Sequence, residues 1–525
     1  MIVVDLLRRG APAGDAPGSP GLDVLRHDPR LAPRLGLTVA LVVGAFLRLW
    51  QIGSLGLNSD ETVYAGQAAS IAGNPAYTDY FPIFRAHPLL FQSLLSVYYQ
   101  WSDSDMAGRV LSAAFGVATI FATYKVGAAL YDRRVGAIAA LVLAVMPYHV
   151  VVTRQILLDG AMVFFATTGL YFLARYCGER LDRYALACAA AMGLAFLTKE
   201  TAVVLWGGVY LFFMLSRTMS IRLPTVFGMA VVFSGLALAF WLALRLSGAA
   251  RTGDNYVVWQ LFRRPNHTLA FYAQTVPVSI GLVVVAVAAA GLIGRRLAWQ
   301  EGLLLAWAVV PLAFFELMPV KGFQYLLPLA PVAAVLAGRS VMLVFRSQRV
   351  ASWTRGRGRL AAAGLLALML TAQSVAVWPV VSPTASATFL AGAGGLPAGR
   401  EAGTWVGRNL PRGSVLLTLG PSMANVIEFY GHRQAYGLSV SPNPLNRNPA
   451  YVPVENVDRE LRQGNLQYVV WDSFSAERSP SFSAKLLGYV HKYRGIAIHT
   501  ESVAVTADDG SVTLRPAVTV YEVQP

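Results

Sequence analysis

Asp60 and Glu61 stand side by side in the stretch LNSDETVYAGQ, just after the first long apolar run of the chain. Other charged or hydrogen-bonding residues recur at the ends of later apolar runs. Arg109 begins the second, Arg154 and Asp159 lie five apart in TRQILLDG, and Lys199 and Glu200 share the turn LTKET. Glu316, Lys321 and Tyr325 lie in ELMPVKGFQYLLPLAP, and Arg263 sits in a longer loop. Cations at a membrane boundary suit a lipid-linked phosphate, whose tail stays among helices while its head meets Lys and Arg. A carboxylate beside that head can accept a proton from an attacking hydroxyl, and the cations can stabilise charge growing on a leaving phosphate. Two plainer readings stand beside this one. Asp60 can be a helix N-cap with Glu61 in the first turn, and each cation can be an interfacial side chain that snorkels.

The elements that must position these residues follow from composition. The chain has 525 residues, 55% hydrophobic and 14% charged, against about 25% charged in a typical soluble protein. Its apolar runs predict about eleven membrane spans, near 35–53, 107–130, 134–151, 156–175, 184–198, 201–217, 224–246, 273–294, 298–317, 323–345 and 359–380. The formal charge of +15 gathers in alternate short loops, which is the positive-inside pattern and no nucleic-acid footprint. Arg133, Arg134, Arg175, Arg180, Arg183, Arg217, Arg222, Arg295, Arg296, Arg346, Arg349, Arg355, Arg357 and Arg359 then lie inside. This places the N-terminus in the cytoplasm, with SDET and the C-terminus outside. The spans carry few charges at mid-depth, so the polar residues describe an interfacial site and no ion path through the bilayer.

Three segments result: a cytoplasmic tail over 1–34, a membrane domain over 35–380 whose first outside loop is 54–106, and an extracytoplasmic α/β domain over 381–525. In the loop, 61–72 reads as an amphipathic helix and FRAHPLLFQSLLSVYYQW as an interfacial one. In the last segment EAGTWVGRNLP and SMANVIEFYG read as helices, and SVLLTL, YVVWD, IAIHT and VTLRPAVTVYEV as strands. Cys177 and Cys188 read as apolar fillers, and the histidines show no metal-ligand spacing. The triplet NHT at 266–268 matches an N-glycosylation acceptor only at the level chance supplies.

SDETVYA, AHPLLFQSLL, RQILLDGAMVFF, LTKETA and KGFQYLLPLAPVAAVLAG together resemble the GT-C superfamily of membrane glycosyltransferases. Within it the protein O-mannosyltransferases and lipid A aminoarabinose transferases are the most similar, over roughly residues 35–345. The resemblance implies that Asp60 is the catalytic base, that Glu61 organises the site, and that Asp159 and Lys199 belong to the active cavity. Relatives read His-Pro-Pro-Leu where this chain has HPLL, and the resemblance implies that His87 contacts the lipid phosphate. Some aminoarabinose transferases hold a metal through a carboxylate just upstream; Arg85 and Ala86 stand there instead, so no tightly bound metal and no other cofactor is expected.

The expectation is a multi-pass α-helical membrane protein of GT-C type in the plasma (inner) membrane. It moves a monosaccharide, hexosyl or pentosyl, from a polyprenyl phosphate to an extracytoplasmic acceptor with inversion. Asp60, Glu61 and Asp159 form the catalytic group; His87, Arg109, Arg154, Lys199, Arg263, Lys321 and Tyr325 bind substrate. Protein, glycolipid and cell-envelope glycan all remain open as acceptors. The rival is a transporter or flippase of lipid-linked glycans, which calls for ionisable residues at mid-span and broken helices in matching halves.

Overall fold

The structure is a computed structural model that describes residues 31–102, 104–248, 256–263, 265–294, 296–348, 352, 358–382, 396–506 and 510–525. The tail 1–30 and the loop cations Arg251, Arg264, Arg295, Arg349, Arg355 and Arg357 lie outside the described residues.

Among the described residues six helices are long and apolar enough to cross a membrane: Leu31–Leu49, Asp105–Leu130, Leu223–Ser247, Trp299–Leu317, Leu329–Arg346 and Gly358–Val381. Leu223–Ser247 leaves Leu223, Phe227, Val231, Leu238, Trp241, Leu242 and Leu246 exposed. Such an apolar surface is costly in water and ordinary against lipid. Length and composition therefore support six of the expected eleven spans directly.

The remaining runs fold differently from simple spans. The run 134–151 breaks into Arg133–Ala144 and Pro147–Val152. Pro147 lacks a backbone N–H and forces Met146 into extended backbone (φ −71°, ψ 116°). Arg133–Ala144, 12 residues and so about 18 Å long, is buried from Val135 to Ala144 inside the bundle. A Cβ on Gly127 would come 2.8 Å from the Cα of Gly136, so two glycines let this helix approach Asp105–Leu130 closely. The run 156–175 is the helix Leu158–Glu179, 184–198 is Asp182–Thr198, and 201–217 is a 3-10 turn, Glu200–Val203, leading into Val204–Leu215. The run 273–294 is bent by 90° between Phe271–Ile280 and Leu282–Ala290. Gly281 turns the corner with φ +99°, a conformation other residues adopt at a cost.

The loop 54–106 forms Ser59–Ile71, Pro75–Thr78 and Leu90–Tyr99. The first of these is buried on most of its surface, unlike the amphipathic helix expected there. Leu90–Tyr99 leaves Leu94, Val97 and Tyr98 exposed, with Trp101 just beyond it, the apolar face of an interfacial helix.

The C-terminal part is built on one five-stranded sheet in the order β2-β1-β3-β5-β4. Its strands are β1 Val415–Thr418, β2 Gln434–Gly437, β3 Tyr468–Asp472, β4 Ile496–Thr506 and β5 Val512–Glu522. β1 runs parallel to β2 and β3, and β5 runs antiparallel to β3 and β4. Alternate residues serve opposite faces. Leu416 and Val470 meet the helices Gly399–Asn409 and Pro421–Gly431, while Leu417 and Val469 meet Val457–Arg462 and Pro480–Lys492. The four sequence-read strands and both helices recur, and β2 is the strand the sequence did not announce.

This module is seated on the first loop. Pro421–Gly431 packs against Ser59–Ile71, and Phe429 enters the cluster of Leu57, Tyr77, Phe81 and Leu95. The Tyr430 hydroxyl accepts from Leu57 N at 2.9 Å and donates to Asp105 at 3.0 Å. Arg400 donates to the carbonyls of Gly53 and Ser54 at 3.0 and 3.1 Å.

Candidate active site

The helix that carries Asp60 is capped by another residue. Asn58 Oδ1 accepts from the N–H groups of Asp60 and Glu61 at 3.0 and 3.1 Å, and Glu61 Oε2 accepts from Asn58 N at 3.0 Å. This is a capping box built on Asn58 and Glu61. The plainer reading of Asp60 as the N-cap is therefore corrected: its carboxylate is released from capping and faces a cavity.

Glu61, fully buried, also accepts from Arg109 through both oxygens at 2.8 Å and from Ile156 N at 3.0 Å. Arg109 gives its other hydrogens to the carbonyls of Ile52, Leu55 and Gly56. The pair ties the first loop to the bundle, leaving neither side chain free for substrate. Arg154 donates to Leu47 O at 2.6 Å and Trp50 O at 2.8 Å, satisfying carbonyls at the end of Leu31–Leu49. The expected contacts of Arg109 and Arg154 with substrate give way to these structural ones.

The other residues converge beside Asp60. Lys199 Nζ donates to both oxygens of Asp159 at 2.8 Å, with both side chains nearly inaccessible. The same ammonium lies 4.8 Å from the centre of the Tyr325 ring, a cation–π geometry. His87 Nδ1 stands 2.9 Å from both oxygens of Glu200. Its ring meets Tyr64 and Tyr256 edge-on, with centroids at 6.1 and 5.3 Å. Arg263 stacks 4.4 Å over Trp259, and its charge acts on Tyr256 and Tyr325.

Asp60 is the point where these fields meet. Confinement among protein groups raises its proton affinity above the ordinary aspartate value of 3.8. The charges of Lys199, His87 and Arg85 work in the opposite direction, and that of Asp159 adds to the rise. Sequence reasoning passed over Glu200 as the partner of His87, and Tyr64, Tyr256 and Arg85 as neighbours of Asp60. Glu200 had a signal, being the acid of LTKET next to a chosen lysine. Tyr64 had one too, standing four residues after Asp60 on the same helix, whereas Tyr256 had none, because its approach depends on a helix distant in sequence.

Asp60 opens onto a cavity of 690 Å³ whose walls include Asn58, Gln155, Lys321, Tyr451 and Arg478. Lys321 Nζ donates to the carbonyls of Glu316 and Met318 at 2.5 and 3.2 Å. Asn266, of the triplet NHT, exchanges hydrogen bonds with the backbone of Lys321 at 2.9 and 3.0 Å. Among the described residues no group of three or more His, Cys, Asp and Glu side chains comes together as a metal site would.

Residues 86–243 match the family model of the dolichyl-phosphate-mannose-protein mannosyltransferases. No curated protein matches the sequence. In three dimensions the chain is similar to ArnT from Cupriavidus metallidurans in its apo state. The identity is 15% and the TM-score 0.64, over 93% of this chain and 97% of that one. The same enzyme bound to undecaprenyl phosphate gives 16% identity and a TM-score of 0.61, over 93% and 97%. The apo oligosaccharyltransferase of Archaeoglobus fulgidus gives 16% identity and a TM-score of 0.59, over 92% of this chain and 74% of that one. The resemblance read from the motifs is thus met by a family model over residues 86–243, and similarity of fold extends over nearly all of the chain.

Proposed function

We propose that the protein is an inverting glycosyltransferase that moves one sugar from a polyprenyl phosphate to an acceptor on the extracytoplasmic side. The observation that carries this reading is the position of Asp60, free of capping duty, between the Lys199–Asp159 and His87–Glu200 pairs and the 690 Å³ cavity. The binding of undecaprenyl phosphate by a protein of similar fold supports the donor class.

In this mechanism Asp60 accepts the proton of an acceptor hydroxyl as that oxygen bonds to the anomeric carbon. The bond from that carbon to the phosphate oxygen breaks, and its electron pair leaves with polyprenyl phosphate. Lys199 and Arg263 oppose the growing phosphate charge. Asp159 positions Lys199 through its two short hydrogen bonds, and Glu200 orients His87. Tyr325, under the Lys199 ammonium, holds that cation beside the site through its ring. Lys321, engaged with two carbonyls, lies farther along the cavity. No metal ion has a step in this scheme. The C-terminal module and the SDET loop are extracytoplasmic in this reading, as the loop charges imply.

The test compares purified wild type with Asp60→Asn on a panel of polyprenyl-phosphate monosaccharides, following release of polyprenyl phosphate with mixed acceptors. Release by wild type alone supports both donor class and base. Equal release by both proteins removes Asp60 from the reaction. Donor movement across vesicles without release would favour the flippase.

A further inference from the structure

A second cavity, of 440 Å³, lies between the first loop and the C-terminal module. Its walls carry Asp79, Arg85, Asn425, Glu428, Gln434 and Tyr436. It is separated from the Asp60 cavity by little more than Tyr451, which lines both. Asn425 spans the same partition, donating to Ser59 Oγ at 2.9 Å and Tyr451 Oη at 3.1 Å. Ser59 is itself a wall of the Asp60 cavity. Arg85 lies 4.8 Å over the Tyr451 ring, and its charge acts on both Asp60 and Glu428.

We propose that this second cavity is a subsite for a neutral sugar unit of an extended glycan acceptor, lying one unit or more behind the hydroxyl that reacts at Asp60. The inference rests on the transferase reading above and gives it an acceptor class. Three features favour a sugar. The walls mix donors (Gln434, Arg85) with acceptors (Asp79, Glu428), which suits hydroxyls that both give and receive hydrogen bonds. Tyr80, Tyr436 and Tyr451 also line the cavity, and tyrosine is an amphipathic side chain against which a pyranose or furanose can lie. The Asp79 carboxylate in the wall opposes a phosphate, and the polar side chains of the wall oppose an acyl chain.

Glu428 fits the role. One oxygen accepts from Gln434 Nε2 at 3.0 Å, and only 7% of the residue is exposed. Burial raises its carboxyl to about 8, so near neutral pH it also carries a proton to donate. Asn425 is held at the partition by the helix Pro421–Gly431, so the module that docks on the first loop also shapes the path to Asp60.

The test uses the full-length protein with mannotriose, galactotriose and arabinotriose, and with their monosaccharides. Saturation-transfer NMR on wild type, Glu428→Gln and Tyr436→Ala reads binding without turnover. At least one trisaccharide is expected to show transfer in wild type and to lose it in both variants, each measured well below its own melting temperature. In transfer assays its KM is expected about tenfold below that of its monosaccharide, and the ratio falls toward one in the variants. Trisaccharide binding unchanged in both variants overturns the subsite, as does preference for a Ser/Thr peptide competitor in the same cavity. If wild type releases no polyprenyl phosphate from any donor, the transferase reading fails, while variant-sensitive trisaccharide binding still reports on the cavity. Failure of all trisaccharides to bind wild type overturns the inference even if donor turnover is intact.

Discussion

Arg109 and Glu61 meet fork to fork, Nε on Oε1 and Nη2 on Oε2, both at 2.8 Å, with side chains 6% and 0% exposed. Glu61 closes the capping box of its own helix while holding Arg109 and Ile156, so one carboxylate fixes the start of the helix that presents Asp60. Breaking a buried pair leaves an uncompensated charge, a loss of about 3–5 kcal/mol. Glu61→Gln and Arg109→Ala are therefore expected to melt well below wild type, and their loss of activity follows the loss of fold. Wild-type melting in both would show that the pair is not a structural node.

Asp60→Asn is expected to behave in the opposite way. Its side chain makes no cap, so the melting temperature stays near wild type while kcat falls by about 10²–10⁴, the usual contribution of a general base. Thermal melts measured beside polyprenyl phosphate release separate the two neighbours. A kcat within threefold of wild type would exclude Asp60 as base.

The acid limb of kcat/KM should lie above the ordinary aspartate value of 3.8, because confinement raises the proton affinity of Asp60. In the proposed mechanism the base works deprotonated, so activity is expected to rise as pH rises through that limb. Arg85 favours the charged carboxylate, and Arg85→Gln is expected to move the limb to higher pH. A shift to lower pH would mean that Arg85 does not act on Asp60 through its charge.

His87 and Glu200 should act as a unit. In a double-mutant cycle with His87→Ala and Glu200→Gln, the coupling expected for a direct pair is about 0.5–3 kcal/mol in kcat/KM. Strict additivity would place the two residues in separate roles and discard Glu200 as the group that orients His87.

Glu428 links the C-terminal module to pH. Its folded value of about 8 lies above the ordinary 4.5, so between these limits the folded chain binds the extra proton. Its contribution to stability is fully present below pH 4.5 and is lost as pH rises toward 8. Melting temperatures of Glu428→Gln should fall less than those of wild type across that window. Parallel profiles would show that the carboxyl is not held protonated.

Local pattern alone determined much of this protein. The apolar runs located the long helices, because a helix in lipid must satisfy its backbone internally and cover about 30 Å with apolar side chains. The β-branched and aromatic residues of YVVWD and VTLRPAVTVYEV located two strands, because such side chains favour a pleated, extended backbone. SDET, LTKET and KGFQYLL marked Asp60, Lys199 and Tyr325 before any fold was known. Tertiary structure decided the rest. Asn58 took the cap, because a side chain two or three residues ahead reaches the free N–H groups better than Asp60 can reach its own. Pro147 and Gly281 turned two apparent spans into broken elements, since periodicity reports burial and not the direction of the next helix. Arg109 and Arg154 had the charge for a phosphate, but packing set unsatisfied carbonyls and Glu61 beside them. His87 and Glu200, 113 residues apart, became partners only when the first loop folded back over the bundle. Charge type is a property of sequence, whereas the partner each charge meets is a property of the packed chain.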